Sequence, residues 1–147
     1  MKYFKMSDFD SKDAPGSGAN MRLGTVLKLD DARIMFGKAI VVTSGFRTPE
    51  YSETLKRRGY QVAKKSAHLS GYAVDIRPKE GLEADLTKWA AFLDALWKAG
   101  FRRFGIMGGA VHVDDDPGKV SPAIWRYNTT NNTVWAMAQN WFEKKAK

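Results

Sequence analysis

Hydrophobic residues recur at helical spacing in three parts of the chain. The first pattern runs from Val26 to Phe36 and the second from Leu82 to Leu96, and a glycine follows each at a position suited to ending a helix. The third pattern occupies about residues 134–145. Asn20 is predicted to cap the first helix, and Thr48, followed by proline and glutamate, opens a further short helix.

Shorter runs with strand-like patterns lie between these helices. A β-branched run at residues 39–43 is typical of a buried strand, and alternation over residues 72–77 places Asp75 on the face away from the apolar side chains. Two further strands, over residues 103–107 and 110–114, flank a Gly-Gly pair that favours a hairpin. The expected fold class is α+β: a small, mostly antiparallel sheet flanked by helices.

The composition of the chain excludes several classes of protein. Its 147 residues correspond to a single expected domain over residues 1–147, and 44% of them are hydrophobic, so a core can form without crosslinks. The absence of cysteine excludes disulfide scaffolds, cysteine-ligated zinc and thiol nucleophiles. No stretch approaches the ~18 apolar residues of a membrane span, and the first ten residues are charged, so we expect neither a span nor a signal peptide.

The net charge is strongly positive. Twenty-four Lys and Arg residues against sixteen Asp and Glu residues give +8 at pH 7, which favours an anionic partner such as nucleic acid, anionic lipid or bacterial wall polymer. The basic residues are scattered, however, with no long uninterrupted run. A solvated surface and a dedicated polyanion track therefore remain equally good interpretations.

The two histidines of the chain each lie near an aspartate in a segment expected to be ordered. A lone histidine is more often a surface or core residue than a metal ligand. Here, however, Asp75 and His112 project from the non-core faces of predicted strands, and Gly71 allows a tight turn between His68 and the strand that carries Asp75. Two imidazoles and one carboxylate make a competent zinc set, and three protein ligands leave the fourth tetrahedral position for water, as in catalytic sites.

Three motifs contain these residues or precede them. They read Ser-x-His-x-x-Gly-x-Ala-x-Asp over residues 66–75, His-Val-Asp over residues 112–114, and Ser-Gly-Phe-Arg-Thr-Pro-Glu over residues 44–50. Together they resemble the zinc D-Ala-D-Ala carboxypeptidases and murein endopeptidases, and more narrowly the short single-domain members found in bacteriophages and prophages. The resemblance extends over about residues 3–127 and implies a fold like that of DD-peptidases and Hedgehog proteins.

The resemblance implies a zinc-dependent peptidase that hydrolyses the peptide stems of bacterial peptidoglycan. It makes His68, Asp75 and His112 the zinc ligands. Arg47 is implied to hold the carboxylate of the substrate or the developing oxyanion, a task suited to the fixed fork of guanidinium donors. Ser66 is implied to line the substrate cleft.

Two aromatic residues are candidates for a wall of the same cleft. Trp125 and Tyr127 alternate after Pro122, although aromatic residues at such spacing more often pack in a core. Without a signal peptide, an enzyme of this kind is expected to accumulate in the cytoplasm of the producing bacterium until it reaches the wall, or to travel in a virion. We expect it to act as a monomer.

The chain departs from the family at one catalytic position. In several members an acidic residue three positions before the last histidine is the general base, but here Gly109 occupies that position. Asp114 is the best replacement, because it shares a strand face with His112 and lies about 7 Å along that strand. Asp115 and Asp116 are further candidates, and the three aspartates together could instead form a turn or a weak cation site.

Two functions of other classes remain as alternatives. The missing acid favours a non-catalytic protein of the virion or the wall that keeps zinc for its shape. A basic nucleic-acid-binding domain is disfavoured, because the distinctive residues are metal ligands and not a basic stripe, so we expect no nucleic-acid partner. The sequence leaves open which peptide bond is cut and which divalent metal is preferred.

Overall fold

A computed structural model describes residues 1–147 as a five-stranded sheet with four α-helices and two 3₁₀ helices, which confirms the α+β class. The strands are β1 (Ile40–Ser44), β2 (Ala73–Pro78), β3 (Arg103–Ile106), β4 (Val111–Asp114) and β5 (Ala123–Arg126). The helices are α1 (Leu23–Phe36), α2 (Pro49–Arg57), α3 (Leu86–Ala99) and α4 (Asn132–Ala146), with 3₁₀ helices at Met6–Phe9 and Ser17–Asn20. None of these helices combines the length and the apolar character needed to cross a membrane.

The sheet order brings the two strands with predicted ligands side by side. The order is β1-β2-β4-β3-β5, and all neighbours are antiparallel except β3 and β5, which are parallel. In this register Asp75 of β2 lies opposite His112 of β4, and Gly105 of β3 lies opposite His112 on its other side. One row across the middle of the sheet therefore contains both residues.

The two faces of the sheet have different environments. Apolar side chains of β2 and β4, including Val74, Ile76 and Val113, belong to the hydrophobic core, which α1, α3 and α4 cover. Because side chains alternate along a strand, Asp75 and His112 point to the opposite face. The alternation read from the sequence is thus confirmed, and the candidate site lies across the sheet from the core.

The hairpin between β3 and β4 forms around the predicted Gly-Gly pair. The amide of Met107 donates to the carbonyl of Ala110 at 3.0 Å and closes the turn that contains Gly108 and Gly109. Pairing then continues symmetrically, so that Arg103 faces Asp114. The turn therefore determines which β3 residues lie beside the β4 end of the site.

The capping residues that were predicted from the sequence are confirmed with one exception. The hydroxyl of Thr48 accepts a hydrogen bond from the amide of Tyr51 and caps α2, as predicted. Asn20, predicted as the cap of α1, instead ends a 3₁₀ helix, and α1 begins only at Leu23. The prediction was wrong because the amide of Arg22 donates to the carbonyl of Gly71, which holds the chain extended beyond Asn20.

One strand was not predicted from the sequence. Residues of β5 pair in parallel with β3, and Trp125 lies beside Gly105 in that pairing. The strand is short and half-exposed, so its hydrophobic pattern is weak. Its position matters because Trp125 of β5, and Tyr127 directly after it, lie against His112 on the face of the sheet that holds Asp75.

Candidate metal centre

The three residues predicted to bind a metal come together in the structure. His68 lies in the loop before β2, and it joins Asp75 and His112 so that one ligand atom from each lies within 4.8 Å of the others. Asp75 Oδ1 is 3.1 Å from His68 Nε2 and 3.0 Å from His112 Nδ1. All three side chains are buried, with residue exposures of 1% to 5%.

The hydrogen bonds around this triad leave three electron-rich atoms facing one another. His68 Nδ1 lies 2.7 Å from the carbonyl oxygen of Gly45, which only accepts, so this nitrogen carries the proton. On the other ring, His112 Nε2 lies 2.7 Å from Asp114 Oδ2 and donates to it. In neutral rings the remaining nitrogens therefore direct their lone pairs toward Asp75 Oδ1. A divalent cation between these atoms would satisfy all three, and the donor set fits one.

The electrostatics of the triad also favour positive charge beside Asp75. Burial alone would raise the pKa of Asp75, but His68 and His112 outweigh it and hold that pKa well below its usual value. Burial lowers the pKa of His68, so its ring stays neutral and able to act as a ligand. For His112 the effect of burial is overcome by the hydrogen bonds with Asp114 and Asp75, which raise its pKa.

Arg47 reaches the triad from the start of α2. Its Nη2 donates to Asp75 Oδ2 at 3.0 Å, on the carboxylate oxygen that does not face the histidines, and its Nε donates to Ser44 Oγ at 2.9 Å. Its amide donates to the carbonyl of His68, which ties the two predicted motifs together. The guanidinium is thus held in place beside the three candidate ligands, and its role toward the substrate stays a prediction.

Asp114 lies behind His112, on the side of the ring away from the other ligands. Its Oδ2 accepts from His112 Nε2, and its Oδ1 accepts from Arg103 Nε at 2.7 Å. Burial would raise the pKa of Asp114, but His112 and Arg103 outweigh it and lower that pKa. These contacts are those of a residue that orients a metal-binding histidine. The role of general base stays a prediction.

The two neighbouring aspartates are engaged elsewhere. Asp115 pairs with Lys28 at 2.9 Å and accepts from Thr25, and so connects the end of β4 to α1. Asp116 accepts from the amide of Gly118 within the following turn. The carboxylate of Asp115 thus stabilises a contact between distant segments, and that of Asp116 stabilises the local turn.

Two cavities meet at the triad. The larger has a volume of about 600 Å³ and includes Asp75 in its wall, whereas the smaller measures about 140 Å³ and includes His112. Ser66, Trp125 and Tyr127, the three residues predicted to line a cleft, all line the smaller cavity. The residues that line both cavities are Arg47, Gln61 and Tyr127.

The aromatic wall depends on a glycine that sequence reasoning missed. A Cβ atom at Gly105 would lie 2.6 Å from the ring of Tyr127 and 2.7 Å from Trp125 Nε1. The bare backbone at Gly105 therefore lets both rings approach His112, with ring-centre distances of 5.3 Å for Trp125 and 6.5 Å for Tyr127. Burial raises the pKa of Tyr127 to about 12, so its hydroxyl remains a hydrogen-bond donor.

Arg103 is a second residue that sequence reasoning missed. Its guanidinium binds Asp114, donates to the carbonyl of Val120 and lies 4.9 Å from the centre of the Trp125 ring. The signal was present in the predicted hairpin, because pairing that is symmetric about its Gly-Gly turn places Arg103 opposite Asp114.

Comparison with known proteins, like the geometry of the triad, supports a metallopeptidase. A family model described as Peptidase M15 matches residues 2–114, a range that contains the triad, Arg47 and Asp114 and ends before Trp125. No curated protein matches the chain. Since the match covers well over half of the sequence, the chain belongs to the Peptidase M15 family.

Proposed function

We propose that the protein is a zinc peptidase that hydrolyses the peptide stems of bacterial peptidoglycan. The observation that carries the proposal is the buried triad of His68, Asp75 and His112 at the junction of two cavities. Two imidazole nitrogens and one carboxylate oxygen suit zinc and leave a coordination position open. When bound, zinc lowers the pKa of a water ligand to about 7 and polarises the scissile carbonyl.

The residues around the triad have separate tasks in this proposal. Arg47 is held by Ser44 and Asp75 at the wall of both cavities, so it can donate to a substrate carboxylate or to the oxygen that becomes negative as the peptide bond is attacked. The phenol of Tyr127, neutral at working pH, provides a further donor on the same wall. Together these two residues orient the substrate across the metal ligands.

Asp114 orients His112 in this account. Its hydrogen bond fixes the proton on Nε2 and leaves Nδ1 free as the ligand atom, and Arg103 holds the carboxylate in place. Asp114 therefore has a positioning role here, in place of the general-base role predicted from the sequence.

Peptidoglycan suits the chain as a substrate for electrostatic reasons. Its peptide stems carry carboxylates, and the +8 charge of the protein attracts an anionic polymer. We further propose that the protein acts as a monomer in wall processing or lysis by a phage or prophage, either from the cytoplasm of the producing bacterium or from a virion.

The proposal is tested by digesting purified peptidoglycan with the zinc-loaded protein and analysing the soluble products by mass. We expect new products from the peptide stems. Free D-alanine would identify a carboxypeptidase, and split stem peptides would identify an endopeptidase. A protein that binds zinc and peptidoglycan but releases no product would contradict the proposal and favour the non-catalytic alternative.

A further inference from the structure

The larger cavity extends well beyond the metal ligands, along one face of α2. Tyr51, Leu55 and Arg58 line it, and they recur at i, i+4 and i+7, the spacing of a single helix face. At about 600 Å³ the cavity falls within the range that holds ligands of several residues or of drug size. This space is more than the site needs for the scissile bond alone.

The two ends of α2 each place an arginine in this cavity. Arg47 lies before the first turn, beside the metal ligands, and Arg58 follows the last residue of the helix. A helix of nine residues rises about 13 Å. An extended peptide advances about 3.3–3.6 Å per residue, so about four substrate residues would span the length of this helix.

Arg58 has no anionic partner within the protein. Arg47 is paired with Asp75, whereas Arg58 is exposed and takes part in none of the ion pairs of the structure. The adjacent Arg57 donates to Thr54 and does not line the cavity. Arg58 is therefore a free guanidinium at the end of a peptide-sized cavity, and a guanidinium pairs best with a carboxylate.

We infer that the larger cavity binds an acidic peptide segment and that Arg58 is a specificity-determining residue that selects a carboxylate about four residues from the bond that is cut. The inference rests on the proposed peptidase function and adds to it the chemistry of the distal substrate site. Arg58 contacts bound substrate in both the ground state and the transition state. It therefore affects KM and leaves kcat unchanged.

The test compares Arg58→Ala with Arg57→Ala, a matched variant that removes the same charge from the next position outside the cavity. Each zinc-loaded protein is given two synthetic stem peptides of the same sequence, one with its distal carboxylates free and one with them amidated. For Arg58→Ala we expect KM for the free acid to rise about tenfold at unchanged kcat. KM for the amidated peptide should change little, and Arg57→Ala should behave like the unmodified protein on both.

The outcomes separate this inference from the function on which it rests. If the unmodified protein hydrolyses neither peptide and releases nothing from peptidoglycan, the proposed function fails. If it hydrolyses both peptides, the inference is overturned when Arg58→Ala leaves KM unchanged, or when it raises KM equally for the free and amidated peptides. An equal effect from Arg57→Ala would also overturn it, because the cause would then be net charge.

Discussion

Replacing either histidine of the triad by alanine is expected to remove the metal and lower hydrolysis by at least about a thousandfold. In the proposed zinc centre His68 and His112 each provide one of three protein ligand atoms, so the loss of one should leave a site too weak to hold zinc. Metal-ion catalysis contributes several kcal/mol to the rate, and each 1.4 kcal/mol is a factor of about ten. Metal content and turnover on peptidoglycan, measured on the same samples, give the result.

Because both rings are buried, alanine leaves a cavity and lowers stability independently of the metal. His68→Gln and His112→Asn preserve more of the side-chain volume and therefore serve as controls for the loss of stability. Circular dichroism shows whether each variant is folded. A folded variant that keeps a full complement of zinc and full turnover would show that the altered residue is not a ligand.

Asp114→Asn is expected to weaken metal binding about 10–100-fold, the usual effect of losing a residue that orients a metal ligand. Asparagine can still accept from His112, but it removes the negative charge that Arg103 and His112 share. Turnover should therefore fall at limiting zinc and largely recover when zinc is saturating. A zinc titration of binding and of turnover, with the unmodified protein alongside, measures both effects.

If Asp114 is instead the general base, Asp114→Asn should give a different result. In that case metal binding is unchanged, and turnover stays about 10²–10⁴-fold lower at every zinc concentration. Asp116→Asn is the control, because the carboxylate of Asp116 accepts only from the amide of Gly118 in the turn, and its loss should change neither quantity. Unchanged zinc affinity in Asp114→Asn would contradict the positioning role assigned to Asp114.

Much of the site could be predicted because it depends on strand alternation. The pattern over β2 and β4 determines which side chains leave the core, and that pattern placed Asp75 and His112 on the same side of the sheet. The Gly-Gly turn then determined the β3 register. From that register, the pairing of Arg103 with Asp114 could also have been predicted from the sequence.

Other features depend on contacts between distant segments and leave little local signal. The carbonyl of Gly71 accepts from the amide of Arg22 and so fixes the start of α1. The sequence around Asn20 gives no sign of this contact. The parallel pairing of β5 with β3 is likewise non-local, and it is possible at this site because Gly105 has no side chain to exclude the aromatic rings. The cavity along α2 could not be predicted from the sequence either, since it forms between segments from several parts of the chain.

If a metal held by His68, Asp75 and His112 makes this chain a peptidoglycan peptidase, hydrolysis must depend on that metal. The most direct measurement digests purified peptidoglycan with protein stripped by a chelator, and then with the same protein after zinc is restored. We expect no soluble stem products from the stripped protein and full recovery at about one zinc per chain. Release at the full rate from protein in which elemental analysis finds no divalent metal would contradict this dependence.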